Sequence, residues 1–322
     1  MRILITGCAG FVGFHLAQKL SSKEKCKVFG IDNLNKYYDI KLKQDRLKIL
    51  KKNKNFNFTK LDISKPKKLT QNFKDNKYDY VINLAAQAGV RYSITNPDTY
   101  FENNVSGFYN ILQVSKKFKI KHLVFASTSS VYGDQNKWPL KENFNTDKPL
   151  SFYAATKKIN EVMAYSYSNI YKLPCTGLRF FTIYGPYGRP DMALFKFVKN
   201  INNSKKINLF NRGNHYRDFT YVDDIVESII RLIKKPSKHK IPYEIFNIGG
   251  SKPHHLKKVF LKYIEKILNK KAIINNLPMQ LGDVYKTHAD TNKLQNKINY
   301  KPKTNLNNGI KNFILWYKKY FN

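Results

Sequence analysis

Residues 2–13 read RILITGCAGFVG, a short apolar run followed by glycines at positions 7, 10 and 13. The run Arg2–Thr6 has the length of a buried strand, and Phe11–Leu20 has the apolar spacing of a helix. Glycines at a strand-to-helix turn permit unusual backbone angles and let the helix pack closely on the strand. The stretch therefore predicts a strand, a glycine-rich turn and a helix at the start of an α/β layer.

The same alternation continues through the first half of the chain. Further strand-like runs are Lys27–Asp32, Asn57–Asp62, Tyr80–Leu84, His122–Ser127 and Thr176–Phe180, and further helix-like segments are Thr99–Lys117 and Ala155–Tyr171. Alternating strands and helices predict a doubly wound parallel sheet, the Rossmann fold. After about residue 180 the alternation loosens and Pro, Gly and Asn turns appear. We predict a dinucleotide-binding domain over 1–180, with parts of 219–248 returning to it, and a smaller α/β substrate domain over 181–322.

The charge balance admits two interpretations. The chain has 58 Lys and Arg residues against 22 Asp and Glu, a formal net charge of +36. Such an excess can attract nucleic acid, a membrane surface or an anionic substrate. The lysines, however, lie along the whole chain and alternate with apolar residues, as they do on solvated helix faces and loops. We expect no nucleic-acid and no membrane partner, and an anionic small molecule as substrate.

Cysteine usage and hydropathy bear on the compartment. The three cysteines Cys8, Cys26 and Cys175 are odd in number and show no CxxC spacing, which favours a reducing compartment. No apolar run reaches the roughly 18–20 residues that cross a bilayer. No His or Cys spacing indicates a metal site. The expectation is a cytoplasmic protein without a metal.

The glycine pattern gains meaning from the next strand. A helix that starts in such a turn presents free N–H groups and its positive dipole end to phosphates. The second strand ends at Asp32, followed by Asn33. A carboxylate there accepts hydrogen bonds from an adenosine ribose and repels a 2′-phosphate, which favours NAD over NADP. As an alternative, Asp32 would be an ordinary helix cap.

Tyr153 and Lys157 are four residues apart and so lie on one face of a helix. A nearby ammonium and an oxidised nicotinamide would both lower the pKa of the phenol from about 10. Such a tyrosine is a general base for a sugar hydroxyl. Thr128, at the end of the fifth strand, would reach the same oxygen. The competing interpretation is a surface Tyr/Lys pair and a strand-end turn, in a chain rich in these residues.

Longer stretches resemble a known family. From Met1 to about Tyr320 the chain is similar to the extended short-chain dehydrogenase/reductase family of nucleotide-sugar epimerases, dehydratases and decarboxylases. Within it the match is closest to UDP-glucuronate 4-epimerases. The stretches are IDNLN at 31–35, LAAQAGVRYS at 84–93, SFYAATKK at 151–158, RFFTIYGP at 179–186, GRPDMA at 188–193 and RDFTYVDD at 217–224.

The resemblance implies a role for each matching position. The catalytic positions are Thr128, Tyr153 and Lys157. The NAD contacts are Gly7, Gly10, Phe11, Val12, Gly13, Asp32, Asn33, Asp62, Ile63, Leu84, Ala85, Ala86, Asn104, Tyr153, Lys157 and Phe181. The substrate contacts are Arg91, Thr128, Ser129, Ser130, Thr182, Arg189, Phe210, Arg217 and Asp283.

Different groups would recognise each part of the substrate. By the resemblance, Arg217 binds the diphosphate, Phe210 stacks on the uracil and Asp283 meets the uridine ribose. The sugar carboxylate would be surrounded by Thr182, Arg189, Ser129 and Ser130, since Arg offers a two-pronged donor for a planar carboxylate. Removing one partner of a buried ion pair costs about 2–5 kcal/mol. UDP-glucose, which lacks the carboxylate, would therefore be a poor substrate.

The stretch Thr128–Gly133 decides between relatives. Dehydratases and decarboxylases of this family carry acidic residues just before Val-Tyr-Gly, whereas here the residues are Thr128, Ser129 and Ser130. This favours NAD-dependent 4-epimerisation of UDP-glucuronate to UDP-galacturonate through a 4-keto intermediate, by a homodimer that serves polysaccharide biosynthesis. The alternatives are a UDP-glucose 4-epimerase, a related decarboxylase or dehydratase, and, from another class, a non-enzymatic NAD- or RNA-binding scaffold.

Overall fold

The computed structural model describes residues 1–321, which form twelve β-strands and twelve α-helices. The strands are β1 (Arg2–Thr6), β2 (Lys27–Asp32), β3 (Phe56–Lys60), β4 (Tyr80–Asn83), β5 (His122–Thr128), β6 (Cys175–Phe180), β7 (Thr182–Tyr184), β8 (Ile207–Phe210), β9 (Tyr216–Tyr221), β10 (Tyr243–Ile248), β11 (Pro253–His255) and β12 (Ile274–Leu277). The helices are α1 (Phe11–Ser21), α2 (Ile40–Leu50), α3 (Pro66–Asn76), α4 (Tyr92–Thr95), α5 (Pro97–Tyr100), α6 (Gly107–Lys117), α7 (Phe152–Tyr171), α8 (Ala193–Asn202), α9 (Val222–Leu232), α10 (Lys262–Leu268), α11 (Asn292–Ile298) and α12 (Leu306–Phe321).

Seven strands form one parallel sheet in the order β10-β6-β5-β4-β1-β2-β3. This confirms the predicted doubly wound parallel sheet. The strand order reverses between β1 and β4, so the connections after these two strands run in opposite directions. In open α/β sheets ligands bind in the crevice that this reversal opens at the carboxyl ends of the strands.

Helices cover both faces of the sheet. Successive side chains of a strand point to opposite faces, so both sets of side chains are buried. In β1, Ile3 and Ile5 belong to an apolar cluster with residues of α1 and α9, while Leu4 belongs to a second cluster with residues of α3 and α6. This explains why the strands read as continuous apolar runs rather than as alternating ones.

The chain after β6 contributes to two parts of the molecule. Strand β10 extends the main sheet beside β6, and α9 packs on α1. The remaining elements surround a third apolar cluster that includes Phe195, Phe260 and Phe313. They include the three-stranded sheet β11-β9-β7 and the pair β12-β8. This second body faces the carboxyl ends of the main sheet and closes the crevice from the other side.

Two predicted helices differ from those observed. The segment predicted as one helix, 99–117, is divided into α5, a π-helical turn over Phe101–Ser106, and α6. Within that turn the carbonyl of Asn104 accepts a hydrogen bond from the side chain of Asn160 at 2.7 Å. Helix α7 begins at Phe152, three residues before the predicted start, because the hydroxyl of Ser151 accepts from the backbone N–H of Ala154 at 3.2 Å and caps the helix.

The cysteine side chains and the apolar character of the helices can be compared with the expectations from the sequence. The three cysteines are free thiols with buried side chains. Within residues 1–321 no helix combines the length and apolar character that crossing a membrane requires.

Candidate active site

A cavity of about 1050 Å³ lies at the carboxyl ends of β1, β2, β4 and β5, beneath the second body. Its volume lies at the upper end of the roughly 300–1,000 Å³ usual for ligand pockets. Of the residues predicted for the site, all except Asn104 line this cavity. The predicted cofactor residues lie on the side of the main sheet, and Phe210, Arg217 and Asp283 lie on the second body.

The glycine-rich turn has no room for side chains. Gly7 has a φ of +69°, and a Cβ on Gly13 would come within 2.2 Å of the carbonyl oxygen of Gly7. Helix α1 starts after Gly10 with no side chain capping its N–H groups. Free N–H groups and the positive end of the helix dipole are thus directed at the cavity, where a pyrophosphate fits.

Two backbone hydrogen bonds fix the carboxylate of Asp32 at the end of β2. Its carboxylate accepts the backbone N–H groups of Ala9 at 3.1 Å and Leu34 at 2.8 Å. Burial raises the pKa of Asp32, and these hydrogen bonds and the charge of Lys43 oppose the rise. The sequence reasoning missed Lys43, a buried lysine of α2 that donates to Asn35 and lines the cavity. The signal for it was a helix whose Lys43 and Arg46 fall on the apolar face.

The neighbouring polar groups also fit an adenosine. Asn33 donates to the carboxylate of Asp62 at 2.9 Å, and Asp62 also accepts the backbone N–H of Ser64 at 2.8 Å. Together with the glycine turn and Asp32, these residues fit a dinucleotide at this end of the cavity.

Asn104 is the one predicted cofactor residue that the structure does not bring to the cavity. Its amide accepts the backbone N–H of Gln87 at 2.7 Å and donates to the carbonyl of Gln87 at 3.0 Å and to Thr156 at 3.1 Å. All its polar atoms are engaged behind the loop that follows β4. It therefore holds that loop against α7.

The predicted catalytic residues meet where β5 ends beside α7. Thr128 is the last residue of β5, and its Oγ accepts the backbone N–H of Ser130 at 3.2 Å. Lys157 donates from its Nζ to the carbonyl of Ala126 on β5 at 3.0 Å. The ammonium has no carboxylate partner within residues 1–321, and burial lowers the pKa of Lys157 to about 8.

The charges that act on Tyr153 include one that the sequence did not indicate, the charge of Arg189. Burial raises the pKa of the phenol, and the charge of Arg189 and the hydrogen bond with Thr128 lower it. Arg189 is therefore a second cation that favours the phenolate, beside the predicted Lys157, whose ammonium here donates to the carbonyl of Ala126. Sequence spacing placed Lys157 on the right helix face but could not show where its Nζ points.

Arg189 is already paired with a carboxylate of the protein. Its Nε and Nη2 donate to Asp191 at 3.0 and 2.5 Å, and the hydroxyl of Tyr37 donates to the same carboxylate at 3.1 Å. Burial raises the pKa of Asp191, but the charge and hydrogen bonds of Arg189 outweigh this and hold it below its usual value. The predicted penalty for a substrate without a carboxylate assumed an unpaired guanidinium, so its physical basis is absent.

The far end of the cavity carries a second charged cluster. Arg217 donates from Nη2 to Asp283 at 2.7 Å and from Nη1 to the carbonyls of Tyr216 and Tyr285 at 3.0 and 3.1 Å. The guanidinium of Arg91 lies over the ring of Phe210, 5.0 Å from its centre. Residues predicted to hold the diphosphate, the uracil and the ribose are therefore neighbours in space.

The sequence reasoning also missed two buried arginines that join the elements around the cavity. Arg46 is fully buried and donates to the carbonyls of Ala9 at 2.7 Å and Tyr187 at 2.6 Å, which ties the glycine turn to the loop that carries Arg189. Arg179 on β6 forms a buried pair with Glu161 of α7. Nothing in the local sequence around either arginine specifies these partners.

Comparisons with known proteins agree with this arrangement. The model of the NAD dependent epimerase/dehydratase family matches residues 3–249. Protein CapI of Staphylococcus aureus is 49% identical, over 100% of this chain and 99% of that one. The probable UDP-glucuronate 4-epimerase of Rhizobium meliloti is 43% identical, over 98% and 97%.

A solved structure extends the likeness to three dimensions. UDP-glucuronic acid 4-epimerase from Bacillus cereus, in complex with UDP-glucuronic acid and NAD, superposes with a TM-score of 0.94 at 33% identity, over 100% of both chains. With the family model matching most of its length and relatives aligned from end to end, the chain belongs to the NAD dependent epimerase/dehydratase family.

Proposed function

We propose that this protein is an NAD-dependent UDP-glucuronate 4-epimerase that interconverts UDP-glucuronate and UDP-galacturonate. The observation that carries the proposal is the convergence of Tyr153, Thr128 and Arg189 at one end of the cavity, with the Arg217 cluster at the other. A general base beside a guanidinium suits a sugar with both a hydroxyl and a carboxylate. The same activity is named for relatives that match the full chain.

The glycine turn and Asp32 would hold NAD, which would supply the acceptor and donor of the hydride at C4 of the sugar. Tyr153 removes the proton of the 4-hydroxyl as the ketone forms and gives it back as the alcohol re-forms. The hydroxyl of Thr128 lies beside the phenol and favours its ionised form. The 4-keto sugar turns in the cavity between the two steps and presents its other face, so that the configuration at C4 inverts and no atom is lost.

The wall around Thr128 supports epimerisation over elimination. Ser129 and Ser130 line the cavity beside Thr128, and no carboxylate occupies the stretch 128–133. Hydroxyl groups can donate to the sugar but cannot act as a strong acid or base at neutral pH. Elimination of water would need such a group.

The direct test is to incubate the NAD-loaded enzyme with UDP-glucuronate and follow the anomeric protons by NMR. We expect UDP-galacturonate to accumulate to an equilibrium mixture without a pentose product. Tyr153→Phe should lower the rate by about 10²–10⁴-fold, the contribution usual for a general acid–base group, while NAD stays bound. Conversion of UDP-glucose alone, or a variant with near-normal rates, would refute the assignment.

We further propose that the enzyme is a cytoplasmic homodimer that supplies polysaccharide biosynthesis. Helices α6 and α7 pack side by side and expose Tyr109, Val162 and Tyr165. Exposed apolar patches of this kind mark protein interfaces. Val162→Lys should convert a dimer into a monomer in light scattering, whereas Leu315→Lys, at an equally exposed site on α12, should not. A wild-type monomer would refute this.

A further inference from the structure

The Arg189–Asp191 pair uses only one edge of the guanidinium. Nε and Nη2 are engaged with the two carboxylate oxygens, and Tyr37 fixes the carboxylate from the other side. Among residues 1–321 no acceptor bonds to Nη1, and Arg189 lines the cavity. The pair thus presents a donor edge to the cavity while its own formal charge is zero.

A carboxylate that approaches this edge meets an attraction and a repulsion. The positive charge of Arg189 draws it in, and the negative charge of Asp191, on the far side of the same planar group, opposes it. At the effective dielectric of a partly exposed site, charges a few ångströms apart still interact by several times the thermal energy. The hold on a substrate carboxylate is therefore weaker than that of a lone guanidinium, although the hydrogen-bonding geometry is the same.

A moderate hold suits the proposed reaction. The carboxylate is attached to C5, so it moves with the ring when the 4-keto sugar turns. A full ion pair would fix the sugar with one face toward the hydride position. Binding energy that is present before the turn and lost during it would slow turnover, because it stabilises the starting complex more than the turning one.

We propose that Asp191 sets both sugar selectivity and turnover by weakening the grip of Arg189 on the substrate carboxylate. The inference rests on the proposed function, since it concerns how a hexuronate is held. Asp191 acts through Arg189 and is a positioning and specificity residue, not a catalytic one. Tyr37 keeps its carboxylate aligned with the guanidinium.

The test measures binding without turnover. In NAD-loaded Tyr153→Phe protein, calorimetry would give Kd for UDP-glucuronate and UDP-glucose with Asp191 and with Asp191→Asn. We expect the ratio of the UDP-glucose Kd to the UDP-glucuronate Kd to rise about ten-fold in the Asn variant, because one repulsive charge is removed. In otherwise wild-type enzyme, Asp191→Asn should lower both KM and kcat for UDP-glucuronate.

Two further variants separate charge from structure. Asp191→Glu keeps the charge and should leave the ratio near that of the parent, and Asp191→Ser serves as the neutral variant if Asn does not fold. An unchanged or smaller ratio in the neutral variants would overturn the inference. Failure of the proposed function would be visible elsewhere, as absence of UDP-galacturonate from wild-type reactions, while the binding ratio would still decide the role of Asp191.

Discussion

Two arginine–carboxylate pairs in this molecule have almost the same geometry and different surroundings. Arg179 donates to Glu161 at 2.9 and 2.8 Å, and Arg189 donates to Asp191 at 3.0 and 2.5 Å. The first pair has side chains 5% exposed on both partners, whereas the second has 23% and 28%. The Arg179–Glu161 pair joins β6 to α7, and the Arg189–Asp191 pair lines the cavity.

The contacts beyond each pair explain the difference. Arg179 also donates to the carbonyl of Glu142 at 3.1 Å and lies over the ring of Tyr132, and Glu161 accepts the hydroxyl of Ser127 at 2.6 Å. No edge is left for a ligand, so this pair fixes β5, β6 and α7 relative to one another. The pair at Arg189 leaves an edge open to the cavity, and an open edge is what binding needs.

Lys157 represents a third arrangement, a buried cation that has no carboxylate partner in the part of the chain that the structure describes. It keeps only the carbonyl of Ala126, and its pKa falls to about 8 from the ordinary 10.5 because burial disfavours its charge. A buried charge without a partner costs stability and persists where function needs it. The three cations thus range from a fully paired and buried arginine to a buried lysine without a carboxylate partner within residues 1–321.

The largest effect is expected at the unpaired cation. Lys157→Met should lower turnover by about 10²–10⁴-fold and yet raise the free energy of unfolding at pH 7 by roughly 3 kcal/mol in NAD-free protein. Because the folded-state pKa is depressed, the penalty is fully present below about pH 8. Wild-type stability should then rise, relative to the variant, as pH increases from about 8 to 10.5. Denaturant unfolding at several pH values tests this.

Lys158→Met, on the same helix, is the matched control. Lys158 bonds to Thr146 and pairs with the exposed Asp147, so its removal should change stability by less than about 1 kcal/mol. A loss of stability at pH 7 in the Lys157 variant would contradict the view of Lys157 as an unpaired cation.

The fully paired cation should give the next effect, on folding and not on selectivity. Glu161→Gln leaves the charge of Arg179 buried without its partner and should cost about 3–5 kcal/mol of unfolding free energy. Asp191→Asn, made in the pair that lines the cavity and is 23% and 28% exposed, should cost about 1 kcal/mol or less. Thermal midpoints of both variants with NAD bound would compare them. Equal losses would show that exposure does not distinguish the two pairs.

A smaller effect than that of Glu161→Gln is expected from removing Arg189, whose guanidinium is paired along only one edge. Arg189→Ala leaves Asp191 facing the substrate carboxylate and should reduce kcat/KM for UDP-glucuronate by about 10²-fold, with a smaller loss for UDP-glucose. The variant also lacks the charge that lowers the pKa of Tyr153, so the acidic limb of its pH profile should move to higher pH. Arg189→Ala/Asp191→Ala should recover part of the loss for the acid. No recovery would argue against repulsion by Asp191.

Much of the fold could be predicted because its determinants are local. The glycine turn, the alternation of apolar strands with helices, and the i, i+4 spacing of Tyr153 and Lys157 each depend on neighbouring residues. Boundaries were displaced where a side chain from elsewhere intervenes, as Asn160 does at the π-helical turn. The position of Asn104 in the sequence could not show that its amide bonds to Gln87 and Thr156.

By itself the sequence determined the doubly wound sheet, the family resemblance and the residue types that line the cavity. Only the tertiary structure decided which charges meet. In a chain with 58 basic and 22 acidic side chains, composition allows many pairings, and the choice depends on contacts such as Tyr37 with Asp191, 154 residues apart. The pKa of Tyr153 and the selectivity at Arg189 depend on those contacts, because electrostatic interactions are set by distance and burial in the folded chain.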